Sequence, residues 1–128
     1  PTYREAILMH AVARLALHPH IGNIQTSWVK MGPDGAKACL QAGANDMGGT
    51  LMNETITRSA GAAWGQELPP RAMAELIASI GRTPRQRSTL YGPVRAERTR
   101  ASLAAQPLVK TINTPPQPIK NTHNNSVR

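Results

Sequence analysis

A chain of 128 residues has room for one domain or a fragment of one, but not for two. Phe is absent and there are only two Trp and two Tyr, so a core must be built from Ala, Leu, Ile, Val and Met, which is thin filling for a domain standing alone. The formal charge of +8 is uneven: residues 1–92 carry nine Lys/Arg against six Asp/Glu, and residues 93–128 six against one. The excess therefore sits in the C-terminal segment.

The longest apolar stretch, Ala6 to Leu17, is broken by His10 and Arg14 and falls short of the roughly 20 apolar residues that cross a bilayer. Cys39 is the single cysteine, so these residues hold neither a disulfide framework nor a multi-cysteine metal site, and a small buried thiol is expected. The chain opens Pro-Thr-Tyr, without the charged and apolar regions of a signal peptide. A start inside a longer, cytoplasmic protein is the expectation.

In chain order, Leu8, Ala11, Val12 and Leu15 recur at helical spacing between Tyr3 and Leu17, with Thr2 as N-cap and His18-Pro19 as stop. This predicts a helix with one buried face. Asn23 to Val29 reads as a strand with Asn23, Gln25 and Ser27 on a polar face and Ile24, Thr26 and Trp28 on the other. Trp28 is expected to pack against a helix. Met31 to Gly35 is turn chemistry, and Ala36, Cys39, Leu40 and Gly43 follow at helical spacing. Ala44 to Met47 is a short extended segment entering Gly48-Gly49-Thr50, after which Met52, Ile56 and Ala60 share a helix face ending at Gly61.

Pro69-Pro70 opens a further helix with Met73, Leu76, Ile77 and Ile80 inward and Gly81 as its cap. Gln86 to Leu90 is a candidate last strand, closed by Gly92-Pro93, where the folded body is expected to stop. Beyond it, four prolines among Asn, Thr, Gln and Lys cannot offset the entropy of ordering, so a largely disordered tail is expected, with a loose helix allowed at Arg95 to Ala105. Strands alternating with helices predict an α/β fold with a parallel sheet and helical crossovers. Three strands cannot close a barrel.

The chemistry concentrates at Gly43 to Glu54. Paired glycines after a strand let backbone N–H groups approach a ligand, and the next helix adds its unpaired N-terminal donors. Asp46 supplies an acceptor, Thr50 a donor and acceptor, and Glu54 a second carboxylate. Taken alone, this arrangement is matched by a bland one, in which Asp46 and Glu54 serve the helix N-terminus. His18 and His20 lack further ligands for a metal. Arg85 and Arg87 with the tail arginines could bind anions, although a solvated basic surface is the simpler reading, and the role of Tyr91 is open.

Three motifs, NIQTSWVKMG, GANDMGGTLMNETITRSAG and RQRSTLYG, stand in an order that resembles the tyrosine-using half of the 7,8-didemethyl-8-hydroxy-5-deazariboflavin synthase family, radical S-adenosylmethionine enzymes. The resemblance covers roughly residues 2–93. It implies the last β/α units of a radical-SAM (β/α) barrel, a partial barrel in residues 1–93, followed by the basic, disordered tail of residues 94–128. It also implies a 4Fe-4S cluster and S-adenosylmethionine in the complete enzyme, with the Cys-x3-Cys-x2-Cys cluster ligands outside this chain.

By that resemblance the complete enzyme generates an adenosyl radical that oxidises tyrosine, and the 4-hydroxybenzyl group joins 5-amino-6-(D-ribitylamino)uracil. A partner deazariboflavin synthase half, fused or separate, then closes the ring of the deazaflavin. Asn23, Gln25, Ser27, Asn45, Asp46, Gly48, Gly49, Thr50 and Glu54 are the candidate substrate-binding residues, with no catalytic acid or base and no metal ligand assigned. The segment is expected to be inactive without the N-terminal barrel portion. Two alternatives stand beside this: a related radical-SAM enzyme of futalosine-dependent menaquinone biosynthesis, and a non-catalytic nucleic-acid-binding module, which only charge favours.

Overall fold

The computed structural model describes residues 1–51 and 54–107. The elements run α1 (Tyr3–Leu17), β1 (Gln25–Thr26), α2 (Trp28–Gln41), β2 (Asp46–Met47), α3 (Ile56–Ser59), α4 (Pro70–Ala78) and α5 (Ala96–Ala104). The two strands pair in parallel, Gln25 opposite Asp46 and Thr26 opposite Met47, with α2 as the crossover between them. This is a mixed helical structure around a small parallel sheet, an α/β fragment in kind.

Helix α1 starts as its sequence predicts. Thr2 and Glu5 form a reciprocal capping box: the Thr2 amide donates to the Glu5 carboxylate at 2.7 Å, and the Glu5 amide to the Thr2 hydroxyl at 3.2 Å. The face it buries is not the predicted one. Ile7 packs against the core and Arg14 lies against Gly43, whereas Met9 and Leu15 stay 72% and 81% exposed and Leu8 and Val12 are also open. The stripe of Leu8, Val12 and Leu15 is apolar, but nothing among the described residues covers it.

The expected strand from Asn23 to Val29 is only two residues long. Ser27 is the N-cap of α2, so Trp28 and Val29 are helical, and the alternation that placed Ser27 on a polar strand face ends at Thr26. The turn expected at Met31 to Gly35 is a kink inside α2. Gly32 has φ 71° and ψ 172° and Pro33 restarts the helix, because proline has no N–H to bond back across the break. Gly43 lies past the end of α2 at φ 123°, in the left-handed region that favours glycine.

The core is the inner face of α2 with the sheet: Trp28, Val29, Ala36, Cys39, Leu40, Ala44 and Met47 are buried. Cys39 is fully enclosed, as a buried thiol should be. Met73, Leu76, Ile77 and Ile80 of α4 and its C-terminal turn pack against the same cluster, and Gly81, at φ 74°, ends that turn. The spacing of these four residues predicted this helix and its inward face directly. Each fully buried large side chain contributes about 1.5–3 kcal/mol over its exposed state, so Trp28 and Leu40 outweigh the small residues around them.

Helix α3 is a single turn, Ile56–Ser59; Met52, expected to start its inner face, lies outside the described residues. The last predicted strand, Gln86 to Leu90, is not a strand. Only an antiparallel bridge between Arg87 and Pro93 forms there, and Ser88 to Tyr91 turn back on themselves through Tyr91 N to Ser88 O and Ser88 N to Gly92 O bonds. Helix α5 occupies the position allowed for a loose helix and touches its neighbours: Gln86 Nε2 meets Ser102 Oγ at 3.1 Å and Arg71 Nη2 donates to the Leu103 carbonyl at 3.4 Å. The remainder of the tail, residues 108–128, expected to be disordered, lies outside the described residues.

The kink in α2 gives a direct test. A Cβ at Gly32 would stand 3.1–3.3 Å from the Trp64 indole, in a backbone conformation that L side chains rarely adopt. Gly32→Ala should lower the denaturant stability of the protein by about 1–3 kcal/mol. An unchanged unfolding midpoint would show that the kink is not a constraint.

Candidate functional site

One face of the sheet, Thr26 and Met47, is buried against α2. Because side chains alternate along a strand, Gln25 and Asp46 point to the opposite face, and that face is open. An exposed cleft of about 590 Å³ lies beside it, bounded by Asp46, the Gly48-Gly49-Thr50 turn, α4 and the Arg82 to Arg87 segment. A second cleft of about 450 Å³ adjoins it, with Asn23, Asp46, Arg85 and Tyr91 in its wall.

Asp46 is the centre of this face. Its carboxylate accepts both Arg87 Nε at 2.7 Å and Arg87 Nη2 at 2.6 Å, a bidentate pair. It also accepts Gln25 Nε2 at 2.9 Å and the Tyr91 hydroxyl at 3.1 Å. The Arg87 guanidinium lies over the Tyr91 ring, 4.1 Å from its centroid. Burial pushes the Asp46 carboxyl up, but the bonds from Arg87, Gln25 and Tyr91 and the Arg87 charge together outweigh it and hold the group below its ordinary value. The same bond raises the Arg87 guanidinium further above its already high value.

The other predicted residues divide by position. Asn45 and Asn23 lie at the strands' amino ends. Asn45 Oδ1 accepts Arg14 Nη2 at 2.7 Å and the Ile24 amide at 2.9 Å, while its Nδ2 donates to the Gly22 carbonyl and to Asn23 Oδ1. The Asn45 amide thus ties α1 to both strands. Ser27 begins α2 and its carbonyl accepts the Lys30 and Met31 amides. Glu54 is turned toward its own helix, accepting the Ile56 amide at 2.7 Å and the Thr57 amide at 3.3 Å. That is the helix-serving arrangement the sequence allowed as the bland alternative.

At the turn, a Cβ on Gly48 or Gly49 would meet nothing within 4 Å. These glycines are therefore not there to relieve crowding by protein atoms; they leave backbone exposed to the larger cleft. The Gly49 carbonyl accepts Trp28 Nε1 at 2.9 Å and the Thr50 carbonyl accepts the Leu68 amide at 3.0 Å. The turn is pinned on its protein side and open on the other. Trp28, fixed by that bond and buried, packs in the core and does not reach the clefts.

Sequence reasoning missed the part played by Arg87 and Tyr91. Both stood in the RQRSTLYG motif, four residues apart, but a strand pattern placed Arg87 beside Thr89 and left Tyr91 unassigned. The signal that could have joined them is charge: Asp46 needed a cation in a half-buried strand. His18 and His20 are exposed in the loop after α1. Among the described residues no group of His, Cys, Asp or Glu could hold a metal ion, and no helix is long and apolar enough to cross a membrane.

The family model for the CofH/MqnC C-terminal region matches residues 2–99. An FO synthase from Streptomyces coelicolor is 52% identical over 102 residues, which is 80% of this chain and 12% of that protein. Enzymes named 5-amino-6-(D-ribitylamino)uracil--L-tyrosine 4-hydroxyphenyl transferase from Methanopyrus kandleri and Archaeoglobus fulgidus are each 56% identical, over 89 and 85 residues, or 70% and 66% of this chain. The chain spans only 12–25% of the length of these relatives. No solved structure matches it.

The Asp46 cluster sets a pH dependence. A carboxylate whose folded value is depressed stabilises the fold above its unfolded value, about 3.9, and that contribution is lost as pH falls through the lower folded value. Unfolding measured between neutral and strongly acid pH should show an acid-side loss that Asp46→Asn reduces, the remainder including Glu5, whose bonds to Thr2 also hold its carboxyl below its ordinary value. At neutral pH the variant should be less stable by about 1.5–3 kcal/mol, the range for bonds to a charged group. Equal acid sensitivity in both proteins would remove Asp46 from this role.

Proposed function

This chain belongs to the CofH/MqnC C-terminal family, and from that premise we propose that it is the closing portion of a radical-SAM (β/α) barrel that transfers the 4-hydroxybenzyl group of tyrosine to 5-amino-6-(D-ribitylamino)uracil. The observation that carries the reading is the identity of 52–56% to FO synthase and to the 4-hydroxyphenyl transferases across most of the chain. These names favour deazaflavin biosynthesis over the related menaquinone enzymes.

The fold supports a partial barrel. Parallel strands are normally covered on both faces, and here α2 covers one face while the other lines the clefts. Strand β1 pairs with β2 alone among the described residues, and Leu8, Val12 and Leu15 of α1 are exposed. A preceding β/α unit of the parent protein would pair with the open edge of β1 and bury that stripe. Residues 1–93 make up the barrel portion in this reading, with α5 docked on α4 as the start of the appended segment.

The chain's own residues bind and orient. Gly48 and Gly49 present bare backbone, Thr50 lines the larger cleft, and the Gln25 amide holds Asp46 in place. Asn23 and Asn45 stand in the cleft walls, and Ser27 and Glu54 support these groups from behind. The cluster and S-adenosylmethionine supply the radical chemistry from elsewhere in the parent: the residues described here do not fit a cluster, since the single cysteine is sealed in the core.

The complete protein, loaded with cluster and given S-adenosylmethionine, reductant, tyrosine and the ribitylaminouracil, should yield the 4-hydroxybenzyl adduct by mass spectrometry. Asp46→Ala should cut turnover about tenfold or more with the cluster absorbance unchanged. A loaded wild-type protein that makes no adduct, but converts a futalosine-type substrate, would move the assignment to the menaquinone branch.

A further inference from the structure

Tyr91 is the residue for which neither the core nor the turn accounts. It holds a left-handed backbone, φ 61°, a conformation that is an outlier for a bulky residue and is kept only where the surroundings fix it. The surroundings do so here. The Tyr91 amide donates to the Ser88 carbonyl at 3.1 Å, Ser88 N to the Gly92 carbonyl at 2.9 Å, and Gly92 N to Ser88 Oγ at 3.0 Å. Arg87 and Pro93 bridge across the base of the loop.

What this loop fixes is the ring. The hydroxyl is tied to Asp46 and the Arg87 guanidinium covers one face. Arg87 is itself locked by two bonds to Asp46. Even so, Tyr91 remains 47% exposed and forms part of the wall of the smaller cleft, next to Asn23, Arg85 and Gln86. A phenol anchored at its tip and backed by a cation, with strain in its backbone to hold it there, is more than loop packing requires.

We infer that Tyr91 is a substrate-positioning residue whose uncovered ring face stacks on a planar ring of the substrate, the aminouracil or the phenol of tyrosine. This deepens the functional reading above and rests on it. Stacking suits the site: it places a flat ring without drawing on the polar groups that Gln25, Asp46 and Arg87 share among themselves. The Arg87 guanidinium holds the opposite ring face, as cations do over aromatic rings.

The test is equilibrium binding of each substrate, separately, to the complete cofactor-loaded protein and to Tyr91→Phe, Tyr91→Asn and Tyr91→Gly. Phe keeps the ring and loses the hydroxyl. Asn and Gly lose the ring but tolerate the left-handed backbone, so their melting temperatures should stay within a few degrees of wild type. The expected result is near-wild-type affinity for Tyr91→Phe and, for Asn and Gly alike, a loss of about fivefold or more for one of the two ligands, in the range for stacking a base on an aromatic ring. The ligand that weakens identifies the stacked ring. Unchanged affinity for both ligands in Asn and Gly overturns the stacking role alone, as does a loss in Phe equal to theirs. Wild-type protein that binds neither substrate overturns the functional reading as well.

Discussion

The open face of this molecule depends on one carboxylate. Asp46 leaves a two-residue strand and is met by Arg87, Gln25 and Tyr91, groups drawn from β1 and from a loop more than forty residues further on. Without it, nothing among the described bonds would draw the Arg87 to Pro93 loop over the sheet, since that loop makes no strand pairing with β1 or β2. The pairing is favourable because it is bidentate and partly shielded: the Asp46 side chain is 10% exposed. A solvent-exposed pair of the same residues would contribute far less.

The covered face is governed by different physics. Two-residue strands carry little stability of their own, so the sheet stands because α2 packs across it. Trp28 fills the junction and reaches Gly49 with its indole N–H, while Trp64 lies against Gly32 and donates to the Val29 carbonyl at 3.0 Å. The two tryptophans thereby bracket the kinked start of α2. They join the core to the glycine turn, so the turn's position follows from packing that lies outside the clefts. In a chain with no Phe, this is where the large side chains are used.

The site's residues were only partly legible. Asp46 and the Gly48 to Thr50 turn were visible because a strand end, two glycines and a hydroxyl make a local pattern, and the structure sets them beside the clefts. Asn45 and Glu54 were equally visible as polar residues; Asn45 stands in the cleft walls with its amide bonded to Arg14, Ile24 and Gly22, whereas Glu54 turns to α3, because what a side chain meets depends on neighbours that no spacing rule contains. Ser27 was misplaced for a simpler reason: alternation over seven residues looks like a strand until a helix starts within it. Arg87 and Tyr91 were legible as residues and not as partners.

By itself, the sequence determined the helices of α1 and α4, whose capping residues and 3.6-residue periodicity act within one or two turns, and the family, whose motifs are contiguous. It also determined that Leu8, Val12 and Leu15 form an apolar stripe. Only the tertiary structure decided that this stripe is uncovered among the described residues, that the last predicted strand is a looped bridge, and that a carboxylate in β2 organises an arginine and a tyrosine from the far end of the fold. Those outcomes rest on contacts between residues distant in the chain, where burial and charge pairing are settled by what arrives alongside, and no local propensity records that.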